Sequence, residues 1–357
     1  MKVSIGAYTK EGPWGGGNLF FKNLKIYLES KGHKVINHLL DDDIDIILLT
    51  DPRKDSESSS FTDKEITKYK NTLNSKVKIV HRINECDERK GTEGLNKFIY
   101  NANKCADATV FVSNWIKDLY FNQGYQTNNS SVILSGSNPE IFNSVNSKKL
   151  EEGEKLSIVT HHWGGNWNKG FDVYEKLDLM LTDKKFSDLY SFTYIGNVPK
   201  NFRFQNSKLV SPLSGMHLAN ELKKNHVYIT ASLNEPSGNH HIEGALCGLP
   251  ILYIDSGALP EYCNDYGIEF NINNLDEKLI DIRKRYFDIK NNLDKYPHIS
   301  SNMSKEYESL FIDLISKNNA DAKKISNLNT IQKLFFSFKR IIILYLYNLL
   351  KKNKLWK

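Results

Sequence analysis

Apolar and polar positions along the chain fall into short blocks that change period repeatedly. Residues 2–8 alternate at period two and predict a first strand. The glycine-rich stretch Gly12-Pro-Trp-Gly-Gly-Gly-Asn18 follows. Leu19, Phe20, Leu24, Tyr27 and Leu28 then recur at helical spacing until Gly32 closes the pattern. Residues 34–39, 44–49, 78–81 and 108–112 are further strand-like apolar runs. Residues 143–154 are polar and lack a period, which places a linker there. The alternation restarts with strands at 156–160, 192–195, 227–230 and 251–254, separated by helices such as 216–224. Residues 288–298 read as a polar loop, and 304–317 as a helix packing back across the two halves. Strands alternating with helices predict parallel sheets covered on both faces, hence an α/β fold. Two doubly wound, Rossmann-like domains imply a cleft between them, with ligands at the carboxyl ends of the strands. The expected division is 1–145, 146–300, a crossing helix at 301–320 and a tail at 321–357.

Composition narrows the class. A chain of 357 residues with 40% hydrophobic and 25% charged residues suits two globular cores. Cys86, Cys105, Cys247 and Cys263 form no C-x-x-C pair and read as reduced thiols of a cytoplasmic protein. The first residues are too soon interrupted to be a signal-peptide core. The net charge of +6 is uneven, because nine Lys and Arg and no acidic residue lie in 323–357. The rest of the chain is therefore net acidic, which argues against binding nucleic acid along it. In 331–357, Lys333, Arg340, Tyr347 and Lys351 share one side of a helical wheel. Leu334, Phe338, Ile341, Ile342, Tyr345 and Leu349 share the other. Lys339 and Arg340 interrupt the apolar run, so the expectation is a helix lying on an anionic membrane surface rather than crossing it.

The chemistry concentrates after residue 230. Asn234-Glu-Pro-Ser-Gly-Asn-His-His-Ile-Glu-Gly-Ala-Leu-Cys-Gly-Leu-Pro250 reads as a turn, a helix from about Asn239 to Cys247, and a stop at Gly248 and Pro250. Open amides at that helix start favour an anion such as a diphosphate. Glu235 in the loop and Glu243 in the helix can accept hydrogen bonds from sugar hydroxyls and from a vicinal diol. Upstream, Trp163-Gly-Gly-Asn-Trp-Asn-Lys-Gly170 follows one strand and precedes a helix.

Glu235-Pro-Ser-Gly…Glu243-Gly-Ala-Leu-Cys-Gly-Leu-Pro250 resembles the E-x7-E signature of glycosyltransferase family 4 and its retaining GT-B relatives (glycosyl transferases group 1). The resemblance covers roughly residues 1–318 and implies the GT-B fold with added C-terminal helices. It implies that Glu243 binds the nucleotide ribose and Glu235 the donor sugar. It places Gly238, Asn239 and His240 near the sugar and diphosphate. Lys169 and Gly170 match the family's G-R-L-x-x-x-K-G loop, making Lys169 the cation for the leaving diphosphate. The arginine of that loop is missing, its place falling near Gly164, and Arg203, Lys200 and His162 stand as alternative second cations. Ser211 and Leu213 fall where the family contacts the base. Gly16 and Gly17 correspond to a glycine loop facing the donor across the cleft. His81 matches a strand-end histidine near the donor sugar, with Arg82, Asn84 and Asp87 as acceptor-side residues. Ser113 resembles a strand-end serine, and residues 135–142 the segment that ends the first domain.

Asp41-Asp-Asp-Ile-Asp45 contains D-x-D but precedes a strand, and reads as a solvated turn. The pairs His161-His162 and His240-His241 lack zinc-ligand spacing. No metal site and no cofactor is expected. The overall expectation is a retaining, hexosyltransferase-like glycosyltransferase of polysaccharide biosynthesis. It would use a nucleotide-diphosphate sugar and a glycan or lipid-linked acceptor, peripherally on the cytosolic membrane face. Two alternatives stand beside it: a sugar-nucleotide epimerase of the same fold, and a non-catalytic sugar-nucleotide-binding adaptor.

Overall fold

The computed structural model describes residues 1–9, 12, 16–127 and 129–318. Gly15 and the basic tail 331–357 lie outside the described residues. The first half runs β1 (Lys2–Ile5), α1 (Gly16–Ser30), β2 (Lys34–Ile36), β3 (Ile46–Leu49), α2 (Asp63–Thr72), β4 (Lys78–Ile83), α3 (Asp87–Lys90), α4 (Leu95–Asn103), β5 (Ala108–Phe111), α5 (Asn114–Asn122) and β6 (Ser130–Val132). The second half runs β7 (Leu156–His162), α6 (Phe171–Met180), α7 (Lys184–Ser187), β8 (Tyr190–Gly196), β9 (Lys208–Val210), α8 (Gly215–Leu222), β10 (Val227–Thr230), α9 (Asn239–Leu246), β11 (Ile251–Ile254), α10 (Leu259–Cys263) and β12 (Gly267–Phe270). Then come α11 (Leu275–Lys284), α12 (Tyr286–Asn292) and α13 (Ser300–Asn318).

Each half carries a six-stranded sheet, in the orders β2-β1-β3-β4-β5-β6 and β12-β11-β10-β7-β8-β9. Among the described residues, all ten strand pairings are parallel. Parallel strands covered on both faces are buried throughout, as in Ile46–Leu49, where every residue is buried. Helix α6 places Phe171, Tyr174 and Leu177 at helical spacing against β7 and β8, forming one wall of the second core. Each fully buried apolar side chain of this kind stabilises by about 1.5–3 kcal/mol. Helix α2 opens with a capping box, Thr62 accepting from the Glu65 amide and Glu65 accepting from the Thr62 amide.

Strand order reverses between β1 and β3 in the first sheet, and between β7 and β10 in the second. Those reversals leave crevices at the carboxyl ends of the strands. Helix α13 returns to the first half, where Tyr307 and Phe311 join Phe20, Val3 and Ile5 in one core. Near the connection between the halves, Glu261 accepts from the Asn114 and Trp115 amides at 2.8 and 2.6 Å, capping α5 across the interface. Tyr262 donates to the Val112 carbonyl at 2.9 Å and accepts from the Ser135 amide at 2.9 Å.

One sequence expectation fails. Residues 288–298 are not a loop: α12 and a 3₁₀ turn, Leu293–Lys295, occupy most of them. Tyr286, Ile289, Leu293 and Tyr296 are buried at spacings of three, four and three, a sparse helical stripe masked by the polar residues between. The acidic run before β3 is structural, as expected. Asp41 and Asp43 pair with Lys2, and Asp45 accepts from the Lys2 amide at 2.7 Å. These contacts lie at the amino ends of the strands, away from both crevices.

Candidate active site

Both crevices open on one cleft of about 700 Å³, within the size range of small-molecule sites. The second half lines it with His161, His162, Lys169, Glu235, Gly238, Asn239, His240 and Glu243, and the first half with Gly16, Gly17, His81, Arg82 and Asn84.

The corner between β10 and α9 carries both glutamates. Glu235 and Glu243 are 6% and 3% exposed, so their charges need partners. Lys169 Nζ donates to Glu235 Oε2 at 2.6 Å, and Arg89 Nε donates to Oε1 at 3.1 Å. Burial alone would raise the Glu235 carboxyl, but the Lys169 and Arg89 charges outweigh it and hold the value down at about 2. Glu243 Oε2 meets His161 Nε2 at 2.9 Å. A carboxylate only accepts, so Nε2 carries the proton, and Nδ1 lies 3.1 Å from the Tyr228 hydroxyl. Tyr228 and His161 thus orient the helix glutamate.

Gly238 is where α9 begins, and no side chain caps its first amides. A Cβ there would lie 2.4 Å from His240 Cε1 and 3.1 Å from Glu235 Cγ, so only glycine leaves the His240 ring in place. Gly170, at φ +91°, is pressed against Ala231, where a Cβ would lie 2.4 Å from the alanine methyl. That contact sets Lys169 beside the strand that leads to Glu235. Ser237 donates across the cleft to Ser135 at 2.6 Å.

Burial keeps three of the cleft histidines, His81, His162 and His240, neutral. Burial lowers His162 and His240 well below the usual value. His162 and His240 pack with centroids 4.6 Å apart and planes tilted by 58°, and His240 Nε2 meets Thr230 Oγ1 at 2.8 Å. His81 is fully buried and lowered to about 4, mainly by burial. Its Nδ1 donates to Asn103 Oδ1 at 2.9 Å, leaving Nε2 as an acceptor with no partner among the described residues. Among those residues, no group of three or more His, Cys, Asp or Glu is placed to hold a metal ion.

Of the residues singled out by sequence, the structure gathers Glu235, Glu243, Lys169, His81, Gly238, Asn239, His240, Gly16, Gly17, Leu213, Arg82 and Asn84 along the cleft. A Cβ on Gly16 would lie 3.4 Å from the Asn239 side chain, which shows the glycine loop facing α9. Arg82 is nearly buried, its guanidinium 4.1 Å above the Phe20 ring, so it braces α1 as well as flooring the cleft. Asp87, Ser211, Ser113, Lys200 and Arg203 stand outside the lining. Asp87 caps α4, accepting from the Leu95 and Asn96 amides at 2.9 and 2.8 Å. Ser211 lies one position before the lining segment, which runs from Pro212 to Gly215. Ser113 caps α5, accepting from the Ile116 amide at 3.3 Å. Lys200 and Arg203 are exposed and outside the lining, whereas His162 lines the cleft uncharged.

Sequence reading missed Arg89 and the orienting role of His161. Arg89 comes from the first half, six residues beyond the end of β4. Its place after a strand end, four residues from Glu85, was the available signal. Nη1 donates to both Glu85 oxygens at 3.0 Å.

No family model and no curated protein matches the chain. Solved structures do. A glycosyltransferase from Rickettsia africae superposes with a TM-score of 0.63 at 14% identity, covering 88% of this chain and 98% of that one. Sucrose-phosphate synthase from Thermosynechococcus elongatus gives 0.61 at 12% identity, covering 88% and 99%. The Anabaena protein HepE, solved in complex with UDP-glucose, gives 0.57 at 12% identity, covering 90% and 98%. The fold of this chain is therefore GT-B, of the kind seen in group 1 glycosyltransferases.

Proposed function

We propose that this chain is a retaining glycosyltransferase that moves a sugar from a nucleotide-diphosphate sugar to a hydroxyl of a glycan or lipid-linked glycan. The observation that carries this reading is the β10–α9 corner, where two buried glutamates and Lys169 surround uncapped helix amides at the mouth of a crevice. Glu243, steadied by His161, accepts from the ribose hydroxyls. Leu213 and its neighbours receive the base. The amides of Gly238, Asn239 and His240 and the charge of Lys169 stabilise the leaving diphosphate as negative charge develops on it. Those fixed positive groups supply the charge that a metal would otherwise bring, so turnover is expected without one. Glu235 and the free acceptor nitrogen of His81 hold sugar hydroxyls. The acceptor hydroxyl attacks the anomeric carbon from the face the diphosphate leaves, passing its proton to a donor phosphate oxygen. No protein nucleophile takes part.

The first-half wall fits an uncharged, hydroxyl-rich acceptor. Arg82 and Asn84 lie there beside Asp51, which Arg53 neutralises through contacts at 2.9 Å. None of the described helices is long and apolar enough to cross a membrane. The basic segment 331–357 is proposed to hold the enzyme on an anionic cytosolic membrane face.

Incubation with the common nucleotide sugars and an oligosaccharide acceptor tests the reading through nucleoside diphosphate release. One donor should turn over, unaffected by EDTA, and Glu243→Ala should lower kcat/KM about a hundredfold. On anionic vesicles the activity should sediment with the lipid, and removal of 331–357 should free it. Donor binding without turnover would support the non-catalytic adaptor instead. Conversion of the donor sugar without acceptor would support the epimerase.

A further inference from the structure

We infer that Arg89 is the second cation for the donor diphosphate, delivered by the first domain instead of by the turn that carries Lys169. The inference rests on the proposed donor site. Gly164, where the resemblance places an arginine, offers no side chain. Lys200 and Arg203 lie outside the cleft, and His162 is buried and neutral. Arg89 and Lys169 instead grip the two oxygens of one carboxylate, Glu235, from opposite domains. Carboxylate and phosphate present the same kind of anionic oxygens to such donors, and a guanidinium suits both.

The location of Arg89 does not depend on its side chain alone. Asn168, one residue before Lys169, donates to the Arg89 carbonyl at 3.4 Å, and Asn234, one residue before Glu235, donates to the Glu88 carbonyl at 3.2 Å. The turn carrying Arg89 is therefore docked against both segments of the donor corner. Glu85 anchors Nη1, and Nη2 makes no hydrogen bond among the described residues.

Charge accounts for the exchange. Lys169, Arg89 and Lys90 face Glu235 and Glu85, so the empty cluster carries one excess positive charge. When the donor enters, its diphosphate takes Arg89 and Lys169, and Glu235 is released to accept from a sugar hydroxyl. Sugar hydroxyls then take the place of the two cations on the Glu235 carboxylate. Because Arg89 and Lys169 belong to different domains, the diphosphate would bridge the cleft where the Glu235 carboxylate bridges it in this structure.

Calorimetric titration tests this, using whichever of UDP, ADP, GDP, CDP and dTDP binds the wild-type protein, alongside its parent nucleoside. Arg89→Ala should weaken the diphosphate roughly tenfold to a hundredfold and leave the nucleoside unchanged. Arg89→Lys should recover part of the loss. Glu235→Gln frees both cations and should tighten the diphosphate severalfold, and the double variant with Arg89→Ala should lose that gain. Nucleoside binding serves as the check that each variant is folded. Equal diphosphate affinity in Glu235→Gln with and without Arg89→Ala would overturn the inference, leaving Arg89 only a partner of Glu235. Binding of no nucleoside diphosphate by the wild-type protein, or an unaltered nucleoside affinity in Glu243→Ala, would instead bring down the donor-site reading and this inference with it.

Discussion

His241 shows how a single buried side chain sets a property of the fold. It is fully buried against Tyr262, and neither ring nitrogen has a partner among the described residues. Burial lowers its value to about 3, and His81 falls to about 4 for the same main cause. A histidine held neutral contributes its full stability above its ordinary value near 6.5, and that contribution is lost as pH falls toward the folded value. The slope is about 1.4 kcal/mol per pH unit per histidine. Stability should therefore decline with acid below about pH 6.5. His241→Phe, which removes the titrating group but keeps a ring beside Tyr262, should flatten that decline measurably. Thermal midpoints measured from pH 7 to pH 4 check this, and parallel profiles for variant and wild type would contradict it. At this scale the sequence showed residue types but not partners. The E-x7-E spacing pointed at Glu235 and Glu243, yet nothing local marked Asp87 as the cap of α4 or Arg89 as the ion-pair partner of Glu235 from 146 residues away.

At the scale of elements, the β10–α9 corner depends on close approach. Gly238→Ala would drive a methyl into the His240 ring, which is held by Thr230 and packed against His162. Overpacking of that kind costs about 1–3 kcal/mol. The ring or the turn at the start of α9 must shift, and since both belong to the proposed diphosphate site, nucleoside diphosphate affinity should fall at least tenfold while the fold persists. Titration together with circular dichroism checks this, and undiminished affinity would mean the corner tolerates the shift. The central strands were legible because burial on both faces leaves continuous apolar runs. Residues 227–230 and 251–254 match β10 and β11 to the residue. The edge strands β6, β9 and β12 were not, since they are short and partly exposed and show no such run. Helix α12 was hidden for the related reason that its buried stripe is sparse.

For the whole molecule, doubly wound topology puts both switch points at one cleft, and the two domains meet there through a few polar contacts. Glu261, Tyr262 and Ser135 join them near the connection, while Arg89, Asn168 and Asn234 join them at the donor corner. The two-domain plan was legible from the restart of the alternation near residue 156. The contacts across the cleft were not, because they unite residues distant in sequence with no shared local pattern. The central claim is that the β10–α9 corner holds a sugar nucleotide. Its most direct test is a crystal structure with the nucleoside diphosphate that binds. The account predicts ribose hydroxyls within about 2.6–3.2 Å of Glu243 and the diphosphate between the start of α9 and Lys169. A nucleotide seated elsewhere, with Glu243 still turned only to His161, would contradict it.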